Sequence, residues 1–217
     1  MNSGSCIWAL VLLTAVALFG LTPAQAENLG GRSMAGGRAG VWVNNGDVGP
    51  LSVSDGFDIV TQDVSDAGLY AEVYYSYGLS RWLRLEASAG ITNRTNRVSS
   101  GDVVFGSVNM YPLVLAGRFY PLGSVSLGDI HPYAMAGVGL TIASQSRQAI
   151  NSFFGDSRTD ATVNFVFGGG ADIPVASKIG LNVSGKYQKI DFGAQSFNNL
   201  RDFSGFSIAV GVFYMTQ

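Results

Sequence analysis

From about residue 36 to the end of the chain, apolar and polar side chains alternate with a period of two, which is the pattern of strands with two different faces. Eight segments carry it, at 36–45, 68–78, 82–93, 108–120, 131–145, 161–173, 179–192 and 204–215. Each is rich in β-branched and aromatic residues and is bounded by Gly, Asn, Asp, Ser or Pro. No helical period competes with them. The connections between segments alternate long and short, the rhythm of an up-and-down meander. An even number of such strands predicts a closed antiparallel barrel.

Two kinds of barrel share this alternation. A soluble, lipocalin-like barrel holds its apolar face inside, whereas a transmembrane barrel turns that face to lipid. The polar face decides between them. In the fifth segment Gly137, Gly139 and Thr141 oppose Ala136, Val138, Leu140 and Ile142. In the sixth, Thr162, Asn164, Gly168 and Gly170 oppose Val163, Phe165, Phe167 and Ile173, and in the eighth Ser207, Ala209 and Gly211 oppose Phe206, Ile208, Val210, Val212 and Tyr214. Residues this small suit a narrow interior, and a water-facing surface would be dense in charge. Charged residues make up 13% of the chain, against about 25% in soluble proteins. The expected fold is therefore all-β, an eight-stranded antiparallel up-and-down transmembrane β-barrel. Pro112, inside the fourth segment, cannot donate to the ladder, so a bulge near the outer rim is expected there.

Residues 1–26 read as a signal peptide. An apolar stretch from Ile7 to Leu21 is followed by Ala24-Gln25-Ala26, an A-x-A cleavage site. The stretch is shorter than the ~20 residues a spanning helix needs. Residues 27–217 then form one outer-membrane barrel domain with both ends periplasmic. Cys6, the one cysteine, precedes the apolar stretch, which leaves the remaining chain without disulfides or thiolate ligands. A net charge of −2 without a basic cluster argues against nucleic acid as a partner.

Charge placement sharpens the picture. If the large apolar residues face lipid, the inward parity carries Arg38, Glu72, Arg84, Glu86, Arg118, Asp172 and Lys186. The one cation of the outward parity within these segments is Lys189, where the seventh strand reaches an interface and its stem can snorkel. Seven inward charges in so narrow a lumen are expected to pair, Glu72 with Arg84 across the first short turn among them. They form a salt-bridge plug or else line a solute path; the plug is preferred because eight strands leave room for little beyond side chains. His131, the only imidazole, falls at the start of the fifth strand beside the periplasmic rim, away from an outer-leaflet substrate. A turn residue rather than a general base is expected there, and no enzyme, cofactor or metal site is expected.

Arg94, Arg97, Arg147, Arg158 and Arg201 fall in the outer loops, where guanidinium forks could meet lipopolysaccharide phosphates. Asp47, Asp55, Asp58, Asp63 and Asp66 cluster in or beside the first of these loops without the spacing of a calcium loop, so a solvated surface is expected.

Three stretches carry a family resemblance: Tyr111 to Leu115 with Arg118-Phe119-Tyr120-Pro121, His131-Pro132-Tyr133 through Leu140, and Phe167 to Asp172 continuing through Ile179 to Tyr187. They are similar to strands of the small outer-membrane barrel superfamily, the OmpA, OmpX and OmpW-like proteins. That resemblance covers most of 68–215 and implies residence in the bacterial outer membrane, with lipid and lipopolysaccharide around the barrel. It also implies delivery by the barrel-assembly machinery, which in these families reads a terminal Phe; here the aromatics Phe213 and Tyr214 stand just short of the end. The expected function is a monomeric, non-enzymatic barrel supporting envelope integrity or surface interactions through its loops. The alternative is a narrow OmpW-like channel for small or hydrophobic solutes, with an outer-leaflet lipid enzyme a third possibility. N-terminal sequencing of protein recovered from outer membranes is expected to begin at Glu27, and an intact Met1 would refute the cleavage.

Overall fold

The computed structural model describes residues 31–45, 51–54, 59–62, 67–97, 104–122, 130–147, 157–192 and 202–216. Ten strands occur among them: β1 (Ser33–Asn44), β2 (Leu51–Ser54), β3 (Ile59–Gln62), β4 (Ala67–Gly78), β5 (Leu83–Arg97), β6 (Val104–Phe119), β7 (His131–Arg147), β8 (Ser157–Pro174), β9 (Ile179–Ile190) and β10 (Gly205–Met215). Eight of them close a barrel in the order β1-β10-β9-β8-β7-β6-β5-β4, and every neighbouring pair is antiparallel. No described helix is long and apolar enough to cross a membrane. Crossing falls to the strands.

Period-two patterning produces this wall because successive side chains of a strand point to opposite faces. The outward parity presents Leu69, Val73, Leu115, Val138, Phe165, Phe167, Ile208 and Val210, all exposed. The contrast is sharp: Ile208 is 63% exposed while Glu86, a carboxylate, is 1% exposed. An inside-out distribution of this kind requires an apolar solvent around the barrel.

The interior is filled in three apolar patches with polar groups between them. Ser33, Met215 and the short connections 79–82 and 175–178 lie at one end, called here the terminal end. There Met34, Tyr74, Phe213 and Met215 cluster. Ala116, Tyr120, Tyr133, Met135 and Val166 line the β6–β8 wall. At the loop end Trp42, Tyr70, Met110, Ile190, Phe192 and Phe203 close over the lumen, with the Phe192 and Phe203 rings edge to face at 5.5 Å.

The wall differs from the sequence expectation in three places. First, β5, β6, β7 and β8 extend beyond the apolar alternation at their loop ends, through Arg94–Arg97, Val104–Ser107, Ser146–Arg147 and Ser157–Asp160. The connection between β5 and β6 thus shrinks to residues 98–103, shorter than residues 120–130 at the terminal end, and the long-short rhythm is lost. Above a lipid band neither face must be apolar, so the ladder continues where the pattern fades. Second, β2 and β3 pair in a small hairpin within the first loop; four residues each carry too little periodicity to stand out. Third, the bulge expected at Pro112 is absent. Pro112 keeps its partner Thr141 on β7, while towards β5 the ladder omits the pairs facing Gly90 and Ile91 and resumes in the same register at Thr92 and Met110. Gly90 leaves space for the pyrrolidine ring, since a Cβ there would stand 3.3 Å from Pro112 Cγ. The register shift of this ladder lies instead between Asn96 and Arg97.

Several inward aromatics lie flat against a glycine directly across the strand pair. Tyr74 faces Gly36, Tyr133 faces Gly170 and Phe213 faces Gly180. A Cβ on Gly170 would meet Tyr133 Oη at 2.7 Å, and one on Gly180 would overlap the Phe213 ring. Large rings thus fill the lumen only because glycine opens the wall opposite them. Gly180→Ala is expected to destabilise the folded barrel by about 1–3 kcal/mol through overpacking, whereas Gly185→Ala, with nothing within 4 Å of a new Cβ, is expected to stay within about 0.5 kcal/mol. Urea unfolding in detergent followed by the shift in gel mobility measures both; equal midpoints would refute the packing argument.

Candidate functional site

The seven inward charges are all buried: Arg38, Glu72, Arg84, Glu86, Arg118, Asp172 and Lys186. Strand register explains why six of them meet. Arg38 on β1 stands directly opposite Glu72 on β4. Its other neighbour is Gly211 on β10, where a Cβ would lie 2.6 Å from the Arg38 Cγ, so the glycine is what admits the arginine stem. Glu72 in turn faces Gly90 on β5, and Lys186 on β9 faces Gly168 on β8.

The heads of these side chains join across the lumen as one chain of alternating sign. Lys186 Nζ donates to Glu72 Oε1 at 2.5 Å, and Arg38 Nε lies 2.6 Å from the same oxygen. Arg38 Nη2 reaches Glu86 Oε1 at 2.7 Å, and Glu86 Oε2 pairs with Arg118. Arg118 Nη1 stands 3.4 Å from Asp172 Oδ2. Three cations and three anions therefore neutralise one another. Glu86 lies at the centre, shared between two guanidiniums that would otherwise repel.

Uncharged groups complete the network. Tyr70 donates its hydroxyl to Glu72, Tyr120 donates to Asp172 Oδ2 at 2.7 Å, and Asn182 Nδ2 donates to Asp172 Oδ1 at 2.6 Å. Arg38 Nη1 donates to Tyr133 Oη at 3.4 Å, which also accepts from Asn182 at 3.1 Å. Both guanidiniums lie over the Tyr74 ring, at 4.1 Å for Arg38 and 4.8 Å for Arg118, and Arg118 also covers Tyr133 at 4.6 Å. Such cation–π contacts strengthen where water is excluded. Tyr70, Tyr74, Tyr120, Tyr133 and Asn182 are absent from the lumen network expected from sequence, although Tyr120, Tyr133 and Asn182 stand in the stretches that carry the family resemblance. Their signal was present: each has the inward parity, and a tyrosine among small inward residues marks a place where a hydroxyl needs a partner.

Arg84 departs from the expected pairing. Its register partners are Gly78 on β4 and Arg118 on β6, and Glu72 lies several positions further along the barrel. Among the described residues its guanidinium makes no ion pair with an acid; Nη2 reaches the Arg32 carbonyl at 3.5 Å and Nη1 is buried without a hydrogen-bond partner there.

His131 is the first residue of β7, buried and in register with Asp172, at the terminal end. It belongs to a strand rather than a turn. Lys189 faces outward and donates to Asp202 at 2.7 Å at the loop end. Arg94 and Arg97 lie in the last four residues of β5, Arg147 ends β7 and Arg158 is the second residue of β8. Register puts Arg94, Val108, Gln145 and Arg158 in one row across β5, β6, β7 and β8. Arg201, the five loop aspartates and residues 1–26 lie outside the described residues. Among the described residues no group of three or more His, Cys, Asp or Glu is placed to hold a metal ion.

This architecture has counterparts among solved structures. The outer membrane protein OprG of Pseudomonas aeruginosa superimposes with a TM-score of 0.59 at 14% identity, over 86% of this chain and 96% of that one. Neisserial surface protein A superimposes with a TM-score of 0.51 at 12% identity, over 84% of this chain and 96% of that one. At such identities the likeness is one of fold. No curated protein sequence matches the chain. The outer membrane protein beta-barrel domain family matches residues 11–214, and with the closed eight-stranded wall and its lipid-facing surface this places the chain in that family, as a protein of the outer membrane.

Proposed function

We propose that the protein is a non-enzymatic, monomeric outer-membrane barrel whose lumen is closed, and that it serves envelope integrity or surface contacts through the loops opposite the terminal end. One observation carries this reading: the unbroken chain from Lys186 through Glu72, Arg38, Glu86 and Arg118 to Asp172, which ties the interior together between apolar clusters at both ends. An ion in transit would have to separate these pairs in a medium that solvates them poorly. On this reading the terminal end is periplasmic, the assembly machinery delivers the chain, and Arg94, Arg97, Arg147, Arg158 and Arg201 meet lipopolysaccharide phosphates. The place of His131, at the terminal end and away from the outer leaflet, supports a role without catalysis. An unchanged lipid A mass spectrum in cells with and without the protein is the expected result.

A narrow channel for small or hydrophobic solutes is the second reading, and the interrupted ladder between β5 and β6 favours it. Two consecutive cross-strand pairs are missing beside Pro112, whereas the other seven described ladders of the barrel run without an internal gap. If the wall is the route, Pro112→Val, which restores a donor, lowers uptake of an apolar solute into proteoliposomes. If the barrel is closed, wild type and variant are equally silent.

Conductance in a planar bilayer tests the closed lumen directly. The wild-type protein is expected to show no steady current. Glu86→Gln removes the charge that holds Arg38 and Arg118 together and is expected to cost about 3–5 kcal/mol of stability, since breaking a buried pair leaves its partners desolvated. Adding Arg118→Met is expected to recover part of that loss. A wild type that conducts steadily, with Glu86→Gln altering only ion selectivity, would make the lumen a pore.

A further inference from the structure

The lumen charges do not balance once Arg84 is included: four basic side chains, Arg38, Arg84, Arg118 and Lys186, share three acids, Glu72, Glu86 and Asp172. Those acids are already engaged. Glu72 holds Arg38, Lys186 and Tyr70; Glu86 holds Arg38 and Arg118; Asp172 holds Arg118, Tyr120 and Asn182. Arg84 is left with one long contact to a carbonyl, with Nη1 buried and unpartnered, and with Arg118, a like charge, directly across the ladder. A buried guanidinium without a direct ion-pair partner is disfavoured.

A second unpartnered group stands beside it. Ser76 on β4 is fully buried, and its Oγ makes no hydrogen bond. Ser76 pairs in register with Glu86 and is therefore diagonal to Arg84 on the same inward face. A guanidinium N–H and a hydroxyl are both donors and neither has an acceptor. The approach is basic as well. Arg32, half-buried at the start of the wall, and the exposed Arg81 and Lys178 lie at the terminal end, where the described acids are the engaged Asp172 and Glu86. Clustered charge of one sign raises the local concentration of the opposite ion.

The geometry points to a binding site for a single small monovalent anion, of the halide class, held by the Arg84 guanidinium and the Ser76 hydroxyl in the terminal third of the lumen. One negative charge is what balances the four basic and three acidic groups described in the lumen. The site is independent of whether the loops or the lumen serve the protein's function. It makes the barrel's stability depend on its ionic surroundings in a specific way.

The test is a halide titration of the protein folded in a non-ionic detergent, at constant ionic strength maintained with gluconate, a far bulkier anion. The thermal midpoint of the wild type should rise saturably with bromide or chloride, as binding to the folded state alone requires, and the chloride-35 resonance should broaden. Arg84→Met should abolish both effects and should match or exceed the halide-free wild type in midpoint. Ser76→Ala keeps the cation and should raise the half-saturating halide concentration by about ten- to a hundredfold, the usual worth of a hydrogen bond to a charged group. This variant decides the matter if Arg84→Met fails to fold. A wild type that responds to halide and gluconate alike would overturn the site. So would broadening that survives in Arg84→Met, since the ions would then sit on Arg32, Arg81 and Lys178, and so would a Ser76→Ala titration that overlays the wild type.

Discussion

An eight-stranded barrel encloses a cylinder only as wide as the side chains that line it, and most of what is seen inside this protein answers to that restriction. Every inward residue competes for the same axis. Several of the tyrosines and arginines sent in are met by a glycine across the ladder, as Tyr133 is met by Gly170 and Arg38 by Gly211. The same restriction excludes bulk water, and so an inward charge must find its counter-charge within the wall. Glycine placement and charge pairing are thus two results of one radius.

This links the composition of the chain to its electrostatics. Glycines that would weaken a strand in a soluble sheet here admit the stems of long polar side chains, and the heads of those side chains then bind six strands together. β1, β4, β5, β6, β8 and β9 each contribute a charged group to the chain running from Lys186 to Asp172. The tyrosines serve both needs, filling volume with their rings and satisfying carboxylates with their hydroxyls. Tyr120, packed against Tyr133 at 5.5 Å and donating to Asp172, does both at once.

Much of this was legible in the sequence, for a reason that also sets the limit. Parity is a property of a single strand, so the alternation alone assigned Glu86 and Phe165 to opposite faces. Register is a relation between two strands and leaves no such local trace. The sequence could therefore place Arg84 inside but not foresee that Arg118, rather than an acid, would stand across from it. The loop-end extensions of β5 to β8 were missed because a strand above the lipid band need not alternate, as Arg94-Thr95-Asn96-Arg97 shows. Pro112 was recognised as a breaker, yet whether a breaker causes a bulge or an interruption depends on its neighbour, and Gly90 lies some twenty residues away on another strand.

The dispersal of the ion network among distant strands also bears on how such a wall can come together. Lys186 and Glu72 are separated by 114 positions in the chain, and Arg38 touches groups from β4 and β5 only when both are in place. An incomplete sheet leaves some of these charges orphaned beside lipid, a state whose free energy rises with each strand inserted ahead of its partners. Neutrality and closure arrive in the same event. A partly built or misregistered wall therefore carries the cost of unpaired charge that the closed wall does not.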